Sequence, residues 1–268
     1  KKKDSSIRVA MNLVKEGKAD AFVSAGNTGA VLATSNFVLG RIPGVDRAAL
    51  AAVLPSKHEP YVMLDMGSNI DCKPHHLTQF AMMGNFFSQA ILGVENPRVG
   101  LLNIGEEEDK GNQLSLTTHK FMKQLPINFC GNVEGRDITR GKADVVVCDG
   151  FVGNNLLKFG EGISKLFSDF FKDEAKSSLI SLFSLFLLKP AFNRFKKKFD
   201  YDSYGGAHLL GVNGVSIVAH GSAKKVAIKN AIKVAMLAHN NDVVSKIAKA
   251  IEETKNLNKN IITEEESE

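Results

Sequence analysis

Six short apolar segments of this chain each run into a glycine-containing polar loop and then into the start of a helix. They are "FVSAGNTGA", "MLDMGSNIDCKP", "LLNIGEEEDKGN", "NFCGNVEGRDI", "VVVCDGFVGNN" and "SIVAHGSAKK". Short buried strands that alternate with helices favour a mostly parallel sheet whose two faces are both covered by helices. The sequence therefore predicts an α/β protein with three layers.

The periodicity of apolar residues assigns the individual elements. Helices are predicted over 6–15, 28–39, 77–92 and 223–239, with another that ends near residue 122, and strands over 21–23, 48–54, 61–65, 98–104, 127–129, 145–148 and 214–219. We expect one α/β domain over residues 1–250, a helical hairpin inserted at about 165–205, and a polar tail over 251–268 that frays. Because the chain opens on a predicted helix rather than a strand, we also expect the natural protein to have residues upstream.

Composition and charge exclude several classes of protein. The chain has 268 residues, 44% of them hydrophobic and 24% charged, which is enough for a sizeable core. Its net charge of +5 comes partly from lysine runs at 1–3 and 196–198, without the basic stripe interleaved with aromatics that nucleic-acid binding requires. The three cysteines are widely spaced and form no CxxC pair, which favours a reducing cytosol over a disulfide framework.

The six loops together predict an anion-binding cleft. In an open parallel sheet, such loops gather at the carboxyl ends of the strands, where helix N-termini present free N–H groups and a positive dipole end. Any one of these loops alone is adequately explained as a turn, since glycine and asparagine are common turn residues. Six of them, rich in Asn, Asp, Gly and Lys, favour a ligand site along one rim of the sheet.

Few residues in these loops carry recognisable chemistry. Lys110 follows three glutamates that we place in the first turn of the next helix, and it is either a cation that reaches the cleft or a solvated lysine in a charged run. Asn154 and Asn155 either cap a helix or contact a ligand. Arg136 and Asp137 either pair with each other or hold their loop beside the cleft.

Several familiar sites are missing from the sequence. It has no P-loop, no GxGxxG fingerprint and no GxSxG elbow, which excludes nucleotide binding and serine chemistry of those kinds. The pair His75-His76 has no clustered partner at metal-ligand spacing, so we predict no metal site. Cys72 is either an acyl-accepting thiol or, as we favour, a small buried apolar residue.

The segment "SSLISLFSLFLLKPAFNRFKKKFD" is predicted to form the hairpin. Its apolar run is too short to span a bilayer, but Leu179, Leu182, Phe183 and Phe186 fall on one helical face. A basic cluster follows Pro190 among further phenylalanines. Such a hairpin suits a membrane interface or a partner surface, and a packed dimer helix or core helix is an equally good interpretation.

Taken in order, these motifs resemble those of a known family. The blocks "SAGNTGA", "LDMGSNIDCKPHHLTQFAMMG", "NIGEEEDKGN", "GNVEGRDI", "CDGFVGNNLLKFGEG" and "YGGAHLLGVNGVSIVAHGS" resemble the successive signature blocks of bacterial phosphate acyltransferases. The resemblance runs from residue 24 to about residue 239. The opening strand of the family, with its Asp-Ala-Met-Gly-Gly-Asp type of motif, has no counterpart in this chain.

The resemblance implies a fold and a reaction. The fold would be similar to that of phosphotransacetylases and isocitrate-dehydrogenase-like enzymes, with a projecting helical hairpin. The reaction would move a long fatty acyl group from acyl carrier protein to inorganic phosphate, giving acyl phosphate for glycerophospholipid synthesis. The resemblance implies no cofactor and no metal, a homodimer, and a cytoplasmic protein that associates peripherally with the anionic inner face of the cell membrane.

The resemblance also implies roles for individual residues. Lys110 and Asn154 would be catalytic: Lys110 would stabilise charge on phosphate or on the oxyanion, and Asn154 would bind the thioester carbonyl. Substrate-binding positions would be Asn27, Thr28, Asp65, Asn69, Asp71, Lys73, Asn132, Arg136, Asp149, His220, Gly221 and Ser222. Leu179, Leu182, Phe183 and Phe186 would contact the membrane. The alternatives are a phosphotransacetylase-like enzyme that uses acyl-CoA and a non-catalytic membrane-docking scaffold.

Overall fold

A computed structural model describes residues 4–199 and 204–267, except for the side chains of residues 179, 195–199, 258 and 264–267. The helices are α1 Ser6–Lys15, α2 Thr28–Val38, α3 Pro74–Leu92, α4 Gln113–Met122, α5 Gly135–Ile138, α6 Gly150–Ser177, α7 Leu179–Phe199, α8 Lys225–Asn240, α9 Val243–Glu253 and α10 Lys255–Ser267. The strands are β1 Ala21–Ser24, β2 Ala49–Leu54, β3 Tyr61–Leu64, β4 Arg98–Asn103, β5 Asn128–Glu134, β6 Val145–Val147, β7 Ala207–Leu210 and β8 Val215–Val218.

The described strands form one sheet in the order β1-β8-β7-β2-β3-β6-β4-β5. Four neighbouring pairs are parallel: β1 with β8, β3 with β6, β6 with β4, and β4 with β5. The pairs β8–β7, β7–β2 and β2–β3 are antiparallel. The predicted α/β class and mostly parallel sheet are confirmed, while β7 was not among the predicted strands.

Both faces of the sheet are covered, as alternation along β3 makes clear. Val62 and Leu64 belong to a core that includes residues of α3, α8 and α9, whereas Tyr61 and Met63 belong to a core that includes residues of α1 and α2. Successive side chains of a strand point to opposite faces, so each face buries its own apolar layer. The three-layer prediction is therefore confirmed.

The antiparallel pairs divide the ends of the strands between two rims of the sheet. Strands β3, β4, β5 and β6 all end at one rim, which we call the main rim. Strands β1 and β8 end at the opposite rim, which we call the far rim, because the direction reverses three times between β8 and β3. The prediction that all six glycine loops lie along one rim is therefore wrong. It assumed a direction of pairing that β2 and β7 do not have.

The hairpin projects from the main rim. Helices α6 and α7 pack against each other and are joined through Ser178, and α7 continues through Pro190. No helix among the described residues combines the length and hydropathy needed to cross a bilayer. The segment from residue 251 onward was expected to fray, but α10 packs against α3 and α9 and buries Ile261.

Candidate active site

The loop after β3 is organised by a single buried carboxylate, that of Asp65. One of its oxygens accepts hydrogen bonds from the main-chain N–H groups of Leu50, Gly67 and Ser68, at 3.0–3.1 Å. The other accepts from the main chain and the side-chain amide of Asn69, at 2.7 and 2.8 Å. Burial raises the pKa of the Asp65 carboxyl, and these hydrogen bonds oppose that rise. Since both oxygens are fully engaged, Asp65 shapes the loop from within.

The first turn of α6 is pressed against this loop at two glycines. The N–H of Gly150 donates to the Asn69 carbonyl at 2.7 Å, and a Cβ atom on Gly150 would lie 2.7 Å from that same oxygen. A Cβ atom on Gly153 would lie 1.9 Å from the carbonyl oxygen of Asp65. Only glycine permits this approach. Asp149 caps the helix by accepting from the N–H of Val152 at 2.8 Å.

This packing separates the roles of the two neighbouring asparagines. The side-chain amide of Asn155 donates to the carbonyl of Phe151 at 2.7 Å, so it is occupied within α6. Asn154 is exposed beside Gly67, and none of the described residues forms a hydrogen bond with its side chain. The Asn154 amide is therefore available to a ligand at the main rim.

The loop after β4 holds Lys110 in a defined conformation. The side chain of Asn103 donates to the Lys110 carbonyl at 2.8 Å, and the Lys110 N–H donates to the Glu107 carbonyl at 3.3 Å. The aliphatic stem of Lys110 lies over Gly105, where an added Cβ would come within 2.9 Å of Lys110 Cγ. The loop ends at Gly111, which has a φ of 108°. A Cβ atom on any other residue at this position would lie 2.1 Å from Ser115 Oγ.

The acidic run beside Lys110 does not neutralise it. Glu106 pairs with Lys142 at 2.9 Å, and Glu108 pairs with Lys123 at 2.5 Å. No described acidic side chain lies within ion-pair distance of the Lys110 ammonium. The expectation that these glutamates occupy the first turn of a helix is wrong, because α4 begins only at Gln113.

Strand order places the segments that carry Lys110 and Asn154 side by side at the main rim. Strand β6 lies between β3 and β4, so the first turn of α6 sits between the Asp65 loop and the Lys110 loop. Neighbouring strands are about 4.8 Å apart, a separation that long side chains bridge easily. A cation and a free amide thus lie at adjacent strand ends.

The cysteines at this rim are protonated thiols. Burial, followed by the charges of Asp65 and Asp149, raises the pKa of Cys72 to about 12. Burial also raises the pKa of Cys148 well above its usual value. Neither supplies a thiolate near neutral pH, and the thiolate is the reactive form. This agrees with interpreting Cys72 as a packed apolar residue.

The other predicted positions at the main rim differ in accessibility. Asp71 and Lys73 are exposed on the segment that leads into α3, and the guanidinium of Arg47 donates to the Asp71 carbonyl at 3.0 Å. Asn132 is only 2% exposed. Arg136 is exposed and pairs with Glu134 at 2.6 Å rather than with Asp137, whose ion-pair partners are Arg140 and Lys142.

The remaining predicted positions gather at the far rim. Asn27 caps α2 by accepting from the N–H of Ala30 at 2.9 Å, and Thr28 follows it. The loop over residues 219–222 lies beside this cap, where His220 Nδ1 and Ser222 Oγ are 2.7 Å apart. The described chain therefore splits the predicted substrate residues into two groups. The far-rim group is Asn27, Thr28, His220, Gly221 and Ser222; its substrate role stays a prediction.

Sequence reasoning missed a cleft that borders the Asp65 loop. The cleft has a volume of about 620 Å³ and lies between α2 and the segments around residues 41–48 and 68–69. Its lining combines the apolar side chains of Leu32 and Phe37 with Asn69 and the cations Arg41 and Arg47. The feature of the sequence that could have indicated this cleft is the arginine directly before a buried strand, in "RAAL".

Comparison with known proteins connects this geometry to a family. A sequence profile of the family described as "Fatty acid synthesis protein" matches residues 1–246. The phosphate acyltransferase of Clostridium acetobutylicum is 48% identical over 253 residues, which cover 94% of this chain and 76% of that protein. The phosphate acyltransferase of Heliobacterium modesticaldum is 54% identical over 235 residues, which cover 88% of this chain and 70% of that protein.

Solved structures with similar folds are much more distant in sequence. The EutD phosphotransacetylase from Staphylococcus aureus superposes with a TM-score of 0.56 at 16% identity, covering 91% of this chain and 67% of that one. A branched-chain phosphotransacylase from Enterococcus faecalis superposes with a TM-score of 0.57 at 16% identity, covering 89% of this chain and 80% of that one. These neighbours support the predicted phosphotransacetylase-like fold. On the family profile and the close relatives, the chain belongs to the phosphate acyltransferase family.

Proposed function

We propose that this protein transfers a long-chain fatty acyl group from the thioester of acyl carrier protein to inorganic phosphate, giving acyl phosphate. The observation that carries this proposal is the pair formed by Lys110 and Asn154. An ammonium without an acidic partner and an amide without a hydrogen-bond partner stand at adjacent strand ends, among the residues that the structure describes. Membership of the family supports an acyl transfer to phosphate.

The chemistry needs no covalent intermediate with the protein. A phosphate oxygen attacks the carbonyl carbon of the thioester, the C–S bond breaks, and the carrier's thiolate leaves and takes a proton from solvent. Because phosphate supplies the nucleophile, the protonated state of Cys72 and Cys148 fits the reaction. What the protein must supply is placement of the two substrates and stabilisation of the developing negative charge.

The two residues fit those tasks. The ammonium of Lys110 would stabilise charge on phosphate and on the oxyanion that forms from the carbonyl. The Asn154 amide would donate to the carbonyl oxygen and hold it in line with the attacking phosphate. The cleft lined by Leu32, Phe37 and Arg47 gives an apolar surface with a cationic border, and it adjoins the Asp65 loop against which Asn154 packs.

We also propose that the hairpin docks the protein on the inner face of the cell membrane, where it would act as a cytoplasmic, peripherally bound homodimer. Leu182, Phe183 and Phe186 are 51%, 63% and 66% exposed on α7, an apolar surface that water disfavours. The fourth predicted contact, Leu179, begins α7, and its side chain lies outside the described residues. An acidic carrier protein would be steered by lysines and arginines near the site.

Two measurements test the proposed reaction. Acyl phosphate formation is assayed with matched acyl-carrier and acyl-CoA thioesters and phosphate; we expect turnover with the carrier thioester. Turnover on acyl-CoA alone would instead favour a phosphotransacetylase-like enzyme, and no turnover on either donor would favour the non-catalytic scaffold.

The neighbouring asparagines provide a matched pair for the second measurement. Asn154→Ala removes the free amide and should lower kcat by roughly a hundredfold to a thousandfold, as the loss of an oxyanion donor does. Asn155→Ala removes only a bond to the carbonyl of Phe151 and should leave kcat nearly unchanged. Equal effects of the two substitutions would refute the role assigned to Asn154.

A further inference from the structure

We propose that Asn132 and His119 are positioning residues that hold the Lys110 loop in its working conformation. This inference rests on the proposed function, because it assigns them a purpose through Lys110. We call the three linked groups His119, Asn132 and the carbonyl of Glu107 the loop clamp.

The loop clamp is a continuous chain of hydrogen bonds from the interior to the Lys110 backbone. The ring nitrogen Nδ1 of His119 lies 2.9 Å from Asn132 Oδ1. The side-chain amide Nδ2 of Asn132 donates to the Glu107 carbonyl at 2.7 Å. The same carbonyl accepts from the main-chain N–H of Lys110 at 3.3 Å. Displacing Glu107 would therefore displace Lys110.

The geometry fixes the orientation of each group in this chain. A main-chain carbonyl can only accept, so the nitrogen of the Asn132 amide must face Glu107 and its oxygen must face His119. That oxygen in turn requires a hydrogen on Nδ1 of the imidazole. His119 Nε2 then points toward Glu108, whose carboxylate lies 3.8 Å away.

Both side chains of the loop clamp are almost fully buried. Asn132 is 2% exposed and His119 is 4% exposed. Both ends of the Asn132 amide are occupied by the partners above. Asn132 was predicted to bind substrate, whereas its buried position is that of a residue acting through the loop.

Three consecutive glutamates of the Lys110 loop, residues 106–108, each bond to a neighbouring segment. Glu106 is held by Lys142, Glu107 by Asn132, and Glu108 by Lys123. The cations Lys123 and Lys142 and the ring of His119 line one cleft of about 560 Å³ behind the loop. The three glutamates of "EEE" thus each bond to a neighbouring segment, while the described residues leave the Lys110 ammonium without an acidic partner.

The test uses Asn132→Asp, which keeps the shape of the side chain and replaces the donor that faces Glu107 with an acceptor. Its matched control is Asn128→Asp on the same strand, where the amide donates to an exposed carbonyl of Asn96 at 3.4 Å. Turnover, KM for both substrates, the thermal midpoint, and amide hydrogen exchange of residues 105–111 are measured for both variants.

We expect kcat of Asn132→Asp to fall by about tenfold to a hundredfold, because a displacement near 1 Å has costs of that order. KM for the donor should stay nearly unchanged, and exchange of residues 105–111 should become faster. Asn128→Asp should match the parent protein in each readout. A folded Asn132→Asp protein with parental kcat or parental loop exchange would overturn the inference, as would an activity loss that matches the unfolded fraction.

A second pair keeps the test decisive if Asn132→Asp does not fold. His119→Leu removes the donor to Asn132, and His119→Gln supplies an amide donor in its place; we expect the second variant to retain more turnover and slower loop exchange. Equal behaviour of the two would contradict the inference. If Lys110→Ala keeps full turnover, the proposed role of Lys110 fails, while the loop exchange still reports separately on the loop clamp.

Discussion

Replacing Gly153 with alanine should move the first turn of α6 and reduce turnover without unfolding the protein. The new Cβ would lie 1.9 Å from the carbonyl oxygen of Asp65, whereas real Cβ contacts essentially never fall below 3.0 Å. A gap of about 1 Å must therefore open between α6 and the Asp65 loop, since the obstacle is main chain rather than a flexible side chain. The displaced turn carries Asn154.

The expected magnitudes follow from that displacement. Overpacking of this kind costs about 1–3 kcal/mol of the free energy of unfolding, which corresponds to a fall in the thermal midpoint of several degrees. A misplacement of about 1 Å at a catalytic group lowers kcat by about a hundredfold. The assay is acyl phosphate formation from the carrier thioester, with the thermal midpoint measured on the same sample.

The same helix offers a control at Gly160. A Cβ atom there would have no heavy atom within 4 Å, so Gly160→Ala changes helix propensity alone. Alanine is favoured over glycine in a helix by up to about 1 kcal/mol, so this variant should be at least as stable as the parent and equally active. If Gly153→Ala behaved like Gly160→Ala, the close approach of α6 to Asp65 would have no functional consequence.

Three further predictions concern acid stability, the hairpin and the Lys110 stem. Burial lowers the pKa of His208 from 6.5 to about 4, so the unfolded chain takes up a proton more readily than the folded protein, and the free energy of unfolding falls by about 3 kcal/mol as the pH drops from above 6.5 to below 4. The variant His208→Leu should lose less stability over this pH range in urea unfolding, and an unchanged pH dependence would contradict the assignment. The double variant Leu182→Glu with Phe186→Glu should co-sediment less with anionic vesicles but keep its turnover on soluble donor. The control Ser184→Glu, at another exposed position of α7, should keep both vesicle binding and turnover, and equal vesicle binding by all these proteins would argue against membrane docking. Gly105→Ala places a Cβ 2.9 Å from Lys110 Cγ and should lower kcat while leaving the thermal midpoint nearly unchanged, and parental kcat would show that the Lys110 stem does not need this surface.

Much of the fold follows from local pattern, because buried strands and amphipathic helices have distinct periodicities. Helix α1 was predicted with its observed bounds, and β3, β4 and β6 were placed within a residue or so. Their shared direction is what brings Asn154 and Lys110 to one rim, so the main-rim part of the site could be anticipated.

The direction of β2 and β7 could not be anticipated in the same way. Whether two strands pair parallel or antiparallel depends on how the chain returns between them, and residue alternation is the same in both cases. Strand β7 runs in the same direction as β3, and the antiparallel turn from β7 into β8 sends His220, together with Asn27 after the parallel strand β1, to the far rim. The burial of Asn132 was equally hidden, since its partners Glu107 and His119 come from separate segments.

Turnover of the Lys110→Ala variant with carrier thioester and phosphate decides whether the Lys110 ammonium stabilises the transition state. We expect kcat to fall by at least about tenfold, equivalent to roughly 1.4 kcal/mol of lost transition-state stabilisation, while the thermal midpoint is unchanged. Lys120→Ala, which removes an exposed lysine from α4, should behave like the parent protein. Acyl phosphate formation at the parental rate by folded Lys110→Ala would show that this lysine has no catalytic role.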